Sequence, residues 1–303
     1  MHQPPDVSVC IVSWNVAEDL RACLNSVRAQ HTPPSHEVIV ADNASSDGTV
    51  GMVRAQFPEV ILIANDKNLG FARATNQTLR VARGRYLLML NPDTLLPANG
   101  LAQLVAVADA HPEAGIVAPR LVYPDGSLQY SCRRFPTISA ALFRNTFLGR
   151  LFPKAHAAAH YVMADWDHET QRPVDWASGA ALLIRRKAYE QVGELDEGFV
   201  WGSEDVDYCL RMNAAGWRVL FTPATTIVHA VGRSTDQAVV PTILRSHRGM
   251  YRLYSKHFAR GRLARALVWL GVWLRAGLLI VGWECRRVGV RVWRTLLGRR
   301  RRR

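Results

Sequence analysis

The sequence predicts an α/β fold, a mostly parallel central sheet flanked by helices, followed by an amphipathic helical tail. Three observations carry this. Short β-rich apolar runs alternate with helical patterns over the first 120 residues, the signature of βαβ units. A second patterned block follows a stretch of weak periodicity, and beyond residue 239 the chain turns helical and then rich in arginine and tryptophan. With 303 residues and 49% hydrophobic composition, the chain has enough apolar material to bury a core as one large domain or two small ones.

Taken in order, residues 7–13 form a β-rich run, and Leu20, Cys23, Leu24 and Val27 then recur at helical spacing. Residues 37–41 read as the second strand and 60–64 as the third. A helix over 71–82, a strand at 86–90, a helix near 101–110 and a strand at 116–118 complete the first half. Residues 131–171, with scattered aromatics and a run of small residues at 155–159, read as a loop-rich connection. The second block comprises 174–184, a helix from Arg186, the acidic stretch 202–207, a helix to Ala215, and strands near Val219 and Ile227. A helix over 239–257 leads into the tail. The domain reading is a catalytic domain over 1–238, with halves of about 1–120 and 121–238, and a basic helical region over 239–303.

The net charge of +13 invites a nucleic-acid partner, but its location argues against one. From Arg260 onward there are thirteen arginines and one acid, Glu284, while the preceding 259 residues carry 25 basic and 24 acidic side chains. A nucleic-acid enzyme carries its positive charge around the working groove, so no nucleic acid is expected. Five cysteines (Cys10, Cys23, Cys132, Cys209, Cys285) are scattered without a C-x-x-C pair and read as reduced, packed thiols. The polar residues 1–6 run straight into a strand, so no cleaved secretion signal is expected.

In an open α/β sheet, ligands bind beyond the carboxyl ends of the strands, which directs attention to four polar clusters. Asp42, Asn43, Ser45, Asp47 and Gly48 follow the second strand, where they suit either a capped turn or hydrogen bonds to a base or ribose. Asn91-Pro92-Asp93 follows the strand at 86–90 and reads as a turn or as a carboxylate holding Mg²⁺ or Mn²⁺ against a diphosphate. Glu204-Asp205-Val206-Asp207 places three acids in four residues, favoured by a helix N-terminus or kept as a general base. His229, before Gly232-Arg233-Ser234, is a structural histidine or a ligand.

The joint order of these clusters resembles the family-2 glycosyltransferases. The resemblance runs through the opening residues 7–15, Asp42-Asn43 with Ser45, Asp47 and Gly48, Asn68-Leu69-Gly70-Phe71 with Asn76, and Asn91-Pro92-Asp93. It continues through Ser178-Gly179-Ala180, Gly202 to Asp207, and His229 with Gly232 and Ser234. It covers roughly residues 7–235 and is most similar to the rhamnosyltransferase-like branch. The resemblance implies a GT-A fold and an inverting single displacement. It implies that Asp205 is the base, that Asp42 contacts the nucleotide base, and that Asp93 with His229 binds the divalent cation, Mg²⁺ or Mn²⁺. Ser13, Asn15, Asn68, Gly70, Asn76 and Asn91 are expected near the nucleotide sugar, and Glu204, Trp176 and Trp201 on the acceptor side. Asn91 stands where the family more often has a carboxylate.

A glycan or lipid-linked acceptor is expected, with a deoxythymidine diphosphate rhamnose donor favoured by the branch. A sugar-nucleotide pyrophosphorylase is the rival enzyme, but it needs a Gly-rich basic loop after the first strand, and Ser13-Trp14-Asn15-Val16 is not one. A non-catalytic carbohydrate-binding relative has no use for the full acidic set. The tail suggests the cytoplasmic surface of the cell membrane. Residues 266–283 approach the length of a span, yet Arg275 lies near their middle. On a helical projection Arg262, Arg265, Arg287, Arg291 and Arg294 fall away from Leu267, Leu270, Leu274, Leu278, Val281, Val288, Val292 and Leu296, the pattern of a helix lying on anionic lipid.

Overall fold

The computed structural model describes residues 3–30, 34–136, 160–199, 202–230 and 239–300. The chain divides into two compact units, Met1–Gln237 and Ala238–Arg303.

In the first unit, β1 (Val7–Ser13) is almost wholly buried. Helix α1 (Ala17–Arg28) turns Leu20, Cys23, Leu24 and Val27 inward, one face at 3.6-residue spacing. The alternation continues with β2 (His36–Asp42), α2 (Thr49–Gln56), β3 (Ile61–Ala64), α3 (Phe71–Val81), β4 (Tyr86–Leu90), β5 (Thr94–Leu95), α4 (Gly100–Ala110) and β6 (Ala114–Val122). Later come β7 (Cys132–Arg133), β8 (Arg172–Val174), β9 (Trp176–Ala177), β10 (Ala181–Arg185), α5 (Arg186–Val192), α6 (Glu204–Ala214) and β11 (Arg218–His229).

Among the described residues the main sheet has the order β3-β2-β1-β4-β10-β6-β11-β5, with β8 on β11. Strands β1, β2, β3, β4, β6 and β11 run the same way, as the sequence predicts. The exception that matters is β10, which inserts antiparallel to both β4 and β6 and brings the second half of the unit into the centre of the first. Strand β4, covered on both sides, is buried at all five positions, which is why it reads as a continuous apolar run. The chain enters β4 through Gly84, where a Cβ would meet Ser8 N at 2.5 Å and Tyr86 O at 2.7 Å; no other residue fits there.

Three elements differ from the sequence reading. Helix α2, with Gly51 in its first turn and only Thr49, Met52 and Val53 buried, has too little apolar period to announce itself. The two strands expected near Val219 and Ile227 are one strand, β11, whose pairing with β6 slips between Thr222 and Thr226, where Pro223 removes a ladder donor. Residues 132–133, expected in a loop, pair with β9 as a small separate ribbon. The run at 155–159 lies outside the described residues. Cys10, Cys23, Cys132 and Cys209 are buried thiols, and burial pushes the first three up to about 12. Cys285 departs from the expectation of packing, because it lies on an open helix face.

The second unit comprises α7 (Val239–His257) and α8 (Gly261–Arg300). Helix α7 buries His247, Gly249, Leu253 and Tyr254, and α8 buries Val272 and Ala276. His247 Nδ1–H donates to Ile243 O at 2.7 Å, and Arg275 Nη1 donates to His247 Nε2 at 2.8 Å. Arg275 is thereby held against α7. Leu263, Leu267, Leu270, Leu274, Leu278 and Val281 are exposed, three or four residues apart along one side of α8.

Candidate active site

Because β1, β2, β4 and β11 run the same way, their carboxyl ends share one edge of the sheet, where Ser13, Asp42, Leu90 and His229 are the last strand residues. Antiparallel β10 begins at that edge, with Ala181 opposite Leu90.

The loops after β1 and β2 are knitted into one floor. Both oxygens of Asp42 are taken up by Ser45, through its backbone N–H at 2.8 Å and its hydroxyl at 2.6 Å. Ser45 Oγ in turn accepts from Asn15 N at 2.8 Å, and Asn15 Oδ1 accepts from Ser46 N at 2.8 Å. Asn15 holds φ +53°, a left-handed conformation asparagine tolerates. Asn43, almost fully buried, donates from Nδ2 to Gly70 O at 3.3 Å. Asn68 is exposed and its Oδ1 accepts from Gly70 N at 2.9 Å. Gly70, at φ +84°, turns the chain into α3.

Asn91, Asp93 and His229 converge at the same edge. His229 Nε2 lies 3.4 Å from Asp93 Oδ1 and 3.4 Å from the Asn91 side-chain amide. Ala230 N donates to Asp93 O at 2.9 Å, fastening the end of β11 to the loop after β4. A carboxylate oxygen and an imidazole nitrogen are ligand types that Mg²⁺ or Mn²⁺ takes, whereas the Asn91 atom beside them, Nδ2, is a hydrogen-bond donor. Among the described residues no group of three or more His, Cys, Asp or Glu surrounds a common point.

The base candidate sits beside this cluster through the start of β10. Asn91 N donates to Ala180 O at 2.8 Å, and the neighbouring Gly179 N donates to Asp205 Oδ2 at 3.2 Å. Two consecutive left-handed residues, Gly202 at φ +79° and Ser203 at φ +74°, deliver the chain into α6; the serine there is a strained residue of the kind that clusters at functional sites. Burial raises the Asp205 carboxyl, opposed by the Gly179 and Val206 N–H groups and by the Arg133 charge. Glu204 is raised to about 8, by burial and then by the Asp205 charge; its Oε2 is covered and has no hydrogen-bond partner among the described residues. The pair is therefore split, with Asp205 ionising first and Glu204 holding its proton.

The family model described as Glycosyl transferase family 2 matches residues 8–193. The chain belongs to glycosyl transferase family 2. This glycosyltransferase is 30% identical over 225 residues to the N-acetylglucosaminyl-diphospho-decaprenol L-rhamnosyltransferase of Mycobacterium tuberculosis, covering 71% of this chain and 73% of that one. It is 26% identical over 245 residues to the O-antigen biosynthesis protein RfbC of Myxococcus xanthus, covering 78% of this chain and 18% of the relative. Among solved structures it resembles GalNAc-T7 with UDP, GalNAc and Mn²⁺, at TM-score 0.59 and 16% identity over 84% of this chain and 48% of that one. The mannosyltransferase PcManGT of Pyrobaculum calidifontis, in complex with GDP-Man and Mn²⁺, gives TM-score 0.56 and 19% identity over 93% and 80%. The fold is GT-A.

The glycosyltransferase departs from the sequence expectation at several residues. Asn76 is fully buried in α3, with its amide donating to Leu195 O at 2.9 Å and accepting from Leu195 N at 3.0 Å. It clamps α3 to the segment before α6 and offers no group to a nucleotide. Trp176 is also a core residue, its Nε1 donating to Arg134 O at 2.9 Å and Arg133 lying 5.1 Å from its ring centre. No open face remains for a sugar. Asp42 and Ser13 are fully buried, so in this structure Asp42 shapes the floor rather than lining it. Asp207, the third acid, is structural: it accepts from Arg211 Nε at 2.9 Å with no exposure. Trp201, Gly232, Arg233 and Ser234 lie outside the described residues. Sequence reasoning missed Gln129 and Arg133, which sit at the margin of a stretch without periodicity.

Proposed function

We propose that this glycosyltransferase transfers a sugar, with inversion, from a nucleoside diphosphate donor to a hydroxyl of a lipid-linked glycan at the cytoplasmic membrane surface. One observation supports this most: the loop carrying Asn91 and Asp93 and the cradle of Asp205 are joined through Ala180 and Gly179. A group that handles the departing diphosphate and a group that takes the acceptor's proton stand on one short connection, as single displacement requires.

In this reading Asn15, Asn43 and the 68–70 turn bound the nucleotide. Asp93 and His229, beside the Asn91 amide, would hold a divalent cation, which would supply charge stabilisation to the departing diphosphate. Asp205 accepts the proton of the attacking hydroxyl. Protonated Glu204 keeps a second negative charge away from it. A single base suffices, without the carboxylate nucleophile of retaining enzymes.

The M. tuberculosis relative, whose printed name specifies L-rhamnose and a diphospho-decaprenol acceptor, supports a deoxythymidine diphosphate rhamnose donor and a polyprenyl-linked acceptor. The Mn²⁺ in both solved relatives supports the cation. The helix segment Gly261–Cys285 is long and apolar enough to cross a bilayer, but α7 packs against it with Arg245, Arg248, Arg252 and Lys256 on board. Spanning would draw those charges toward hydrocarbon; an in-plane position with the leucine side down and basic groups near anionic headgroups does not. The test is release of nucleoside diphosphate from a panel of nucleotide sugars, with and without a lipid-linked acceptor. Acceptor-dependent release from one donor is expected. Consumption of a nucleoside triphosphate instead would indicate a pyrophosphorylase.

A further inference from the structure

After β6 the chain turns through Gly126 and returns, with Gln129 N donating to Leu121 O at 3.0 Å. The turn delivers the Gln129 side chain, 6% exposed, to the end of β11. Its Nε2 donates to His229 O at 2.6 Å and to Val122 O at 3.2 Å. Both partners are carbonyls, so the amide orientation is determined: a flipped side chain would set oxygen against two oxygens. The remaining atom, Oε1, lies 3.0 Å from His229 Nδ1.

We propose that Gln129 fixes the tautomer of His229 and thereby presents its Nε2 lone pair to a divalent cation at Asp93. An amide oxygen only accepts, so Nδ1 carries the hydrogen, and in the neutral ring Nε2 is bare. Bare Nε2 then faces Asp93 Oδ1 at 3.4 Å. The Asn91 Nδ2–H group, 3.4 Å from the same nitrogen, donates to it, and a cation between Nε2 and Asp93 Oδ1 would take that donor's place. Outer groups that orient a ligating imidazole in this way are worth about 10–100-fold in metal affinity. Gln129 touches neither substrate nor cation in this account; it is a positioning residue acting through His229, and the inference rests on the reading of Asp93 and His229 as cation ligands.

Two measurements on the full chain test it. First, long-range ¹H–¹⁵N spectra of ¹⁵N-histidine-labelled protein, with His229 assigned by loss of its signals in His229→Ala, report the tautomer without any metal. The Nδ1–H form is expected in the wild type and a shift toward Nε2–H in Gln129→Met. A wild-type Nε2–H tautomer overturns the proposal even where the variant does not fold. Second, Mn²⁺ is titrated by electron paramagnetic resonance with thymidine diphosphate present. Gln129→Met, checked for folding by thermal unfolding, is expected to weaken Mn²⁺ binding about 10–100-fold, and to add nothing to His229→Ala. Wild-type affinity in Gln129→Met beside weakened binding in His229→Ala, or additive losses, overturns the role of Gln129 alone. Unchanged affinity in His229→Ala overturns the underlying reading of the cation site.

Discussion

Glu204 and Asp205 are neighbours in sequence with opposite protonation, and that difference gives them different mutational signatures. Asp205→Asn removes the only proton acceptor proposed for the attacking hydroxyl, so turnover is expected to fall about 10²–10⁴-fold while donor affinity, measured by calorimetry, is retained. Glu204→Gln imitates the protonated acid already present and is expected to keep turnover within a few-fold at neutral pH. Stability responds to the same pair. Glu204 binds its proton more tightly folded than unfolded, because burial and then the Asp205 charge raise it. Its contribution to stability is therefore complete at low pH and is lost as pH climbs from the ordinary glutamate value of about 4.3 through the raised folded one. Across that window the Tm of the wild type should decline more steeply than that of Glu204→Gln, and parallel curves would contradict the assignment. At the cation cluster, Asp93→Ala should weaken Mn²⁺ binding more than His229→Ala, since the carboxylate brings charge as well as a donor atom. Full transfer activity in excess chelator would remove the cation from the reaction.

At the scale of elements, hydrogen bonds across chain segments separate what was legible from what was not. The acids 204–207 stood out in the sequence as a group, but only the structure separates Asp207, which pairs with Arg211 one helical turn on, from its two neighbours. Asn76 was expected near the nucleotide sugar on the family resemblance alone. Its partner, Leu195, lies 119 residues away, and no local pattern reveals such a clamp. Asn76→Ala strands both peptide groups of Leu195 in a buried setting and should cost about 1–3 kcal/mol, read from the denaturant midpoint, with little change in nucleotide affinity. Gln129 escaped notice for the converse reason: a lone glutamine beside a Gly-containing turn carries no period or charge. The apolar side of α8 was legible from spacing alone. What sequence could not supply was that Arg275, the apparent obstacle in that helix, is turned to His247 on α7.

Considered as a whole, the molecule keeps its chemistry and its positive charge in different units. Unit Met1–Gln237 holds the carboxylates and histidine of the site, and nearly all the net charge begins at Arg260. A chain ending near Arg260 is expected to leave the membrane fraction, to retain transfer to a short water-soluble acceptor, and to lose transfer to a lipid-linked one. For the full chain, release by high salt is the mark of surface binding, and resistance to both salt and carbonate that of a span. The mostly parallel sheet and the polar clusters at its strand ends were readable because apolar period and strand-end polarity are local signals. The insertion of β10 was not, because an antiparallel strand arriving from residue 181 to pair with residue 90 is decided by long-range packing.

That insertion acts as a ruler. The separation between the proposed cation ligands and the proposed base is set by neither side chain but by the pairing of β10 with β4, through Ala180 to Asn91 and Gly179 to Asp205. One residue of slippage would displace the two ends by about 3.3 Å, more than a reacting pair of atoms tolerates. Inserting a single residue between Gly179 and Ala181 should therefore abolish transfer while each half remains chemically intact, and Mn²⁺ should still bind to the Asp93 cluster. Diversity of substrate then has to be written into the loops around the gauge, because the gauge itself has no freedom to be recalibrated.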